Sequence, residues 1–293
     1  MKLATIVQGD ETVLAAVDPA RQTVRRLIAA SGHPLTDMNA LIEDFDQLRS
    51  TFTLDPQEVA FAQVRFQAPI PRPRRNILCV GKNYREHAQE FTRSGFDSSA
   101  SKASDAIPTA PIVFTKMPET VIATGEAVRY PTGASDQLDY EAELGVIIGQ
   151  GGRDIAHGEA LNHVFGYVII NDVTARDRQA AHKQWFLGKS LDTFCPMGPW
   201  IATRDELDGT QLDVKCWING ELRQNANTRD LIFDIPTLIA TISEGLSLRP
   251  GDVIATGTPA GVGIGFSPPR FLQRGDVMDI EIDGLGRLSN AIA

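Results

Sequence analysis

The stretch Leu138-Asp139-Tyr140-Glu141-Ala142-Glu143-Leu144-Gly145-Val146-Ile147-Ile148-Gly149 constrains the fold of this chain more than any other. Side chains alternate along a strand, so Tyr140, Ala142, Leu144, Val146 and Ile148 share one face, and Asp139, Glu141, Glu143 and Gly145 share the other. One face is core and the other acidic. At about 3.3 Å per residue, the roots of Glu141 and Glu143 lie roughly 6 to 7 Å apart, near enough for both carboxylates to reach one ion. The solvated polar face of an antiparallel strand accounts for two glutamates just as simply. Downstream, however, the apolar run 164–170 reads as a buried strand leading into Asn171-Asp172-Val173-Thr174-Ala175-Arg176-Asp177, which places a third acid, Asp172, at a strand end. Three converging carboxylates form an all-oxygen site suited to a hard dication, Mg²⁺ or Mn²⁺, and no Cys or His cluster points to zinc.

With 293 residues, 42% of them hydrophobic, the chain can bury a large core. It has no run of about 18 apolar residues for a membrane span, and its first residues lack the apolar stretch of a secretory leader, so the expectation is a cytoplasmic protein with no membrane partner. Cys79, Cys195 and Cys216 are odd in number and widely spaced, which fits neither a disulfide framework nor a thiolate metal site. A net charge of −9 argues against a nucleic-acid partner.

Residues 1–68 read as a small α+β unit. A hairpin turns at Gly9-Asp10-Glu11, and Met38, Leu41, Ile42, Phe45 and Leu48 recur at helical spacing after a cap at Thr36 or Asp37. Alternate prolines make 69–75 an extended linker, and residues 76–293 form the main domain. There a short strand, 76–81, leads into a helix over 84–93. His87 and Glu90 share a face of that helix, where the carboxylate can hold the imidazole tautomer. The polar stretch 94–111 reads either as a lid or as a surface insertion. Lys116 ends a strand over 112–116. Asp234 caps a helix with the buried stripe Leu238, Ile239, Ile242 and Leu246, broken near Gly245. The glycine-rich run from Gly257 to Gly265 is neither a phosphate loop nor a dinucleotide fingerprint.

The motifs E-x-E at Glu141 and Glu143, D-x-T-A-R-D from Asp172, N-Y-x-x-H-x-x-E from Asn83, L-x-K-S around Lys189 and G-T-P-x-G-V-G from Gly257 occur in this order. Together they resemble the fumarylacetoacetate hydrolase superfamily from about Asn76 to the C-terminus. That resemblance implies a mixed α/β, mainly β fold: a rolled, largely antiparallel catalytic domain, acting as a homodimer. It implies Mg²⁺ or Mn²⁺ on Glu141, Glu143 and Asp172, with His87 as base, Glu90 orienting it, and Lys189 neutralising charge. Arg176, Gln179, Thr258 and Lys116 fall on the substrate side. For Arg176 an ion pair with Asp177 or another acid is the plain alternative, for Lys116 a solvated side chain, and for Thr258 a structural turn. The implied reaction is hydrolysis of a carbon-carbon bond in a small dicarboxylic or 2,4-dioxo acid of the acylpyruvate or fumarylpyruvate kind, with the dication making a pyruvate enolate an acceptable leaving group. Oxaloacetate-type decarboxylation or keto–enol isomerisation on the same site is the nearest alternative, and a silent binding protein the next. A water-activating base is required only by hydrolysis, so the His87 and Glu90 pair is expected to single that reaction out.

Overall fold

The computed structural model describes residues 1–96 and 106–293, so half of the stretch 94–111, expected to be a lid or a surface insertion, lies outside the described residues. At the centre of a 13-stranded sheet, strand Ala142–Ile148 pairs antiparallel with Val164–Asn171, in a register that sets Ala142 across from Asn171 and Leu144 across from Ile169. Both strands are buried end to end, which is why their sequences are almost continuously apolar. Cys195–Thr203 flanks the pair on one side and Val253–Ala255 on the other. Ile77–Gly81 then adds in parallel, and Ile112–Lys116 forms the edge.

A second, four-stranded antiparallel sheet comprises Asp213–Ile218, Glu221–Asn227, Val277–Ile282 and Gly286–Ala291. Its Val214, Cys216, Ile218, Met278, Ile280 and Ile282 form one core with Tyr140, Ala142, Leu144, Val146 and Ile148. The apolar parity read from the sequence is therefore the inter-sheet contact. The opposite face is also buried: Ile147 packs with Val168, Ile170 and Met197 in a second core, and only its first acidic positions open onto a cleft. The architecture is mainly β with few helices, of which Arg85–Arg93 and Ile235–Ser243 are the longest at 9 residues each. The latter is capped by Asp234, and because it stops at Ser243, Leu246 lies outside the expected stripe and is 39% exposed.

Strands Lys2–Gln8, Glu11–Asp18 and Thr23–Ile28 extend the main sheet rather than forming one of their own. Lys2 and Leu3 pair with Ala202 and Ile201, and Leu3, Leu14, Leu27, Leu41 and Ile42 belong to the same core as Ile147 and Val168. Asp37 caps helix Met38–Glu43, accepting from the Asn39 and Ala40 N–H groups, while Phe45 and Leu48 fall in a separate short helix, Phe45–Leu48. Residues 69–75 thus cross between parts of one sheet, and Arg75 at their end is tied to Asp252 at 2.7 Å. All three cysteines are buried and unpaired. Leu144 lies at the inter-sheet contact, so truncating it to alanine is expected to destabilise the fold by about 2–5 kcal/mol, read as a lower urea midpoint at unchanged slope.

Candidate active site

The strand register assembles the acids. The Asp172 N–H donates to the Glu141 carbonyl at 2.9 Å, continuing the ladder one step beyond the pairing of Ala142 with Asn171. Residues directly opposite in an antiparallel pair share a face, so Asp172 projects beside Glu141 and Glu143. Carboxylate oxygens of the three lie within 4.8 Å of one another. They are 4%, 2% and 0% exposed in the order Glu141, Glu143, Asp172, which excludes a merely solvated face.

Buried charges of one sign require compensation. Lys189, from the short helix Phe186–Lys189, donates to Glu141 Oε2 at 2.6 Å and Asp172 Oδ2 at 2.8 Å. Lys116 lies behind Asp172, donating to its Oδ1 at 2.6 Å and to the carbonyls of Val173 and Lys189. It is fully buried, neither solvated nor on the cleft wall, so it serves as a counter-charge to Asp172 rather than a substrate contact. Arg176 places Nε 2.8 Å from Asp139 Oδ2 and Nη1 2.7 Å from Glu141 Oε1. Asp177 instead accepts from Ser135, so the alternative expected for Arg176 is realised with other acids, Asp139 and Glu141. The helix carrying Arg176 and Gln179 begins at Arg176, after the two-residue strand Thr174–Ala175, so Asp172 precedes that helix instead of sharing its face.

Of the buried acids, Asp139, Glu141 and Asp172 are ion-paired with Arg176, Lys189 and Lys116, whereas the hydrogen bond that Glu143 makes among the described residues comes from the Gly257 N–H at 2.8 Å. Gly257 can present that N–H because its φ of +105° is open to glycine. Burial raises the Glu141 carboxyl, but Lys189 and Arg176 outweigh it and bring the group down to about 2. Glu143 is pushed well above the usual carboxylate range by burial and by the charges of Asp172 and Glu141. All-oxygen donors and mutual proximity fit a hard divalent cation held by Glu141, Glu143 and Asp172.

Glu141 and Glu143 open onto a narrow cleft lined also by His87, Arg176, Gln179, Lys189 and Thr258, with Asp172 buried behind them. His87 stands on helix Arg85–Arg93 with Nδ1 3.2 Å from Glu90 Oε2. With Glu90 ionised, Nδ1 donates to it and Nε2 remains to take up a proton. Glu90 also accepts from the Gly261 N–H at 3.1 Å, which ties the helix to the glycine-rich turn. Gln179 Oε1 accepts from Arg176 Nη1 at 3.1 Å, and Thr258 Oγ1 accepts from Gln224 Nε2 at 2.7 Å. Arg176 Nη2 is buried with no hydrogen-bond partner among the described residues. A guanidinium N–H so placed is suited to an anionic ligand.

Residues 76–293 match the family model described as "Fumarylacetoacetate (FAA) hydrolase C-terminal". The chain belongs to the fumarylacetoacetate hydrolase family. Within this family of enzymes it is 51% identical to the oxaloacetate tautomerase YisK of Bacillus subtilis over 234 residues, 80% of this chain and 74% of that one. It is 41% identical to the mitochondrial oxaloacetate tautomerase fahd2 of Xenopus laevis over 234 residues, covering 79% and 69% of the two chains. Among solved structures, the fumarylacetoacetate hydrolase of psychrophilic Exiguobacterium antarcticum superposes with a TM-score of 0.81 at 37% identity, covering 100% of this chain and 99% of the other.

Sequence reasoning missed several residues of this family site. Asp139 was grouped with the acidic face, yet it accepts from the Gly263 and Ile264 N–H groups and from Arg176, joining the turn to the guanidinium. Gln224 comes from the smaller sheet and bridges the Ala142 N–H to Thr258 and the Pro259 carbonyl. Lys82 and Trp185 also line the cleft. Of these, Asp139, on the acidic face with Glu141, and Lys82, adjoining the N-Y-x-x-H-x-x-E motif, had a nearby signal in the sequence.

A carboxyl whose folded pKa exceeds its unfolded value keeps its proton longer in the folded state, so stability falls as pH rises between the two. Glu143 is therefore expected to make the metal-free protein lose thermal stability as pH climbs from its ordinary value of 4.5 through its raised folded value. Glu141, shifted downward, acts only below that window. Because the Glu143 proton must leave on metal binding, Mn²⁺ affinity is expected to rise over the same range. Calorimetry and melting curves of Glu143→Gln should show both dependences flattened.

Proposed function

We propose that this enzyme interconverts the keto and enol forms of a small dicarboxylic 2-oxo acid of the oxaloacetate kind. The observation that carries this reading is the His87 and Glu90 pair facing the same cleft as the acid triad, in a chain whose relatives include oxaloacetate tautomerases. Glu141, Glu143 and Asp172 would hold a divalent cation, which would supply Lewis acidity to polarise a 2-oxo group and acidify the adjacent carbon. Arg176 orients the substrate, with Nη2 available for a carboxylate while its other nitrogens are held by Asp139, Glu141 and Gln179. His87 Nε2 takes the proton from the carbon next to the carbonyl, the electron pair of the broken C–H bond forms the carbon–carbon double bond, and the carbonyl π pair moves onto the oxo oxygen. Return of the proton to that oxygen gives the enol, and the reverse sequence regenerates the ketone. Glu90 stabilises the imidazolium while it holds the proton. Lys189, fixed between Glu141 and Asp172, offsets the negative charge developing on the oxygen. Water is not consumed.

A second reading, hydrolysis of an acylpyruvate or fumarylpyruvate, is supported by the likeness to a solved fumarylacetoacetate hydrolase. In that reaction His87 activates water. The pair expected to single out hydrolysis does not do so, because keto–enol exchange needs a proton carrier as much as hydrolysis needs a base. Substrate therefore decides. With Mn²⁺ present, the enol absorbance of freshly dissolved oxaloacetate is expected to decay faster with enzyme than without, and a chelator should abolish the acceleration. His87→Ala is expected to lower the enzymatic rate by roughly 10²- to 10⁴-fold. Cleavage of acetylpyruvate without any acceleration of oxaloacetate exchange would overturn the first reading in favour of the second.

A further inference from the structure

The run from Gly261 to Gly265 carries glycine at every second position, and the three glycines lack side chains for different reasons. At Gly261 φ is +102°, and a Cβ there would overlap the Arg223 carbonyl. At Gly263 a Cβ would stand 2.5 Å from the Arg270 carbonyl oxygen and 2.7 Å from Asp139 Oδ1. Backbone fixes both of these positions. Gly265 is different: its φ lies outside the left-handed region, and the three nearest atoms to an added Cβ all belong to the side chain of Glu90, with Cγ at 2.6 Å and Cδ and Oε1 closer still. The end of a flexible side chain gives way before backbone does. An added methyl would therefore leave the turn in place and displace the carboxylate whose Oε2 faces His87 and whose Oε1 accepts from Gly261.

We propose that Gly265 is a positioning residue for the proton-transfer pair: by having no side chain it leaves the space in which Glu90 reaches His87. The inference rests on the proton-transfer role given to His87 above. Helix Arg85–Arg93 has its own attachment to the turn, because Phe91 packs with Val262, Ile264 and Trp185 in a small separate core. Displacing Glu90 therefore disturbs the pair without undocking the helix. None of the three atoms nearest an added Cβ belongs to the acid triad.

A double-mutant cycle on the full chain loaded with Mn²⁺ tests this, using Gly265→Ala, Glu90→Ala and the two combined. Each single variant is expected to lower kcat for oxaloacetate exchange by about tenfold or more, with KM and calorimetric Mn²⁺ affinity within about threefold of wild type. The double variant should be no worse than Glu90→Ala alone, because without the carboxylate arm the added methyl has room. Losses that multiply in the double variant, or an Mn²⁺ affinity that collapses in Gly265→Ala, would overturn the proposal. If Gly265→Ala does not fold, the double variant decides: recovery of the fold supports the steric link to Glu90, and failure to recover removes it. Should the wild-type protein accelerate no exchange, the proposed function falls. The cycle is then read in melting temperature, where non-additive shifts support the positioning role and additive shifts overturn it.

Discussion

Glu141 is the point from which the site is built. It accepts from Lys189 on one oxygen and Arg176 on the other, and its backbone carbonyl takes the N–H of Asp172, so one residue fixes two cations and a second acid. Removing either cation would leave a buried carboxylate without compensation, a far greater penalty than loss of a surface ion pair. The order of the cluster follows. Arg176 in turn reaches Asp139, and Asp139 holds the glycine-rich turn through the Gly263 and Ile264 N–H groups. That same turn anchors Glu90 and, through it, His87. The acid triad and the base pair, distant in sequence, belong to one chain of buried polar contacts.

The electrostatics of that cluster give it a function. Lys116, Arg176 and Lys189 pair with three acids, whereas Glu143 accepts from the Gly257 N–H and has its carboxyl pushed well above the usual range, so the protein holds a site whose electrostatics favour a proton or a dication. Enolate chemistry makes the same demand, since negative charge develops on a substrate oxygen and must be met by positive groups held in advance. Charge stabilisation and a proton carrier are required by carbon–carbon hydrolysis and by keto–enol exchange alike.

Much of the fold was legible in the chain. The alternation of Tyr140, Ala142, Leu144, Val146 and Ile148 predicted the face that packs on the smaller sheet, and the caps at Asp37 and Asp234 were visible as helix-start signals. Other expectations failed for identifiable reasons. Leu246 continued the helical period, but the helix stops at Ser243, before Gly245 at a φ of +74°. The proline-rich stretch suggested a division between units, whereas pairing of Lys2 and Leu3 with Ala202 and Ile201 made one sheet of both sides. Lys116 looked like a surface lysine because nothing local shows that its strand end lies beneath Asp172.

Sequence by itself determined which side chains share a face, because E-x-E spacing on a strand, His and Glu on one helical face, and Asp at a strand end follow from local geometry. Tertiary structure alone decided how those groups are paired. Pairing depends on contacts between residues far apart in the chain: Lys189 against Glu141 and Asp172, Arg176 against Asp139, Glu90 against the turn at Gly261 and Gly265. Periodicity reports which face a residue occupies, but not which buried charge stands opposite it. That is why Glu143, indistinguishable from Glu141 in the sequence, proves to be held by the Gly257 N–H where Glu141 is held by Lys189 and Arg176.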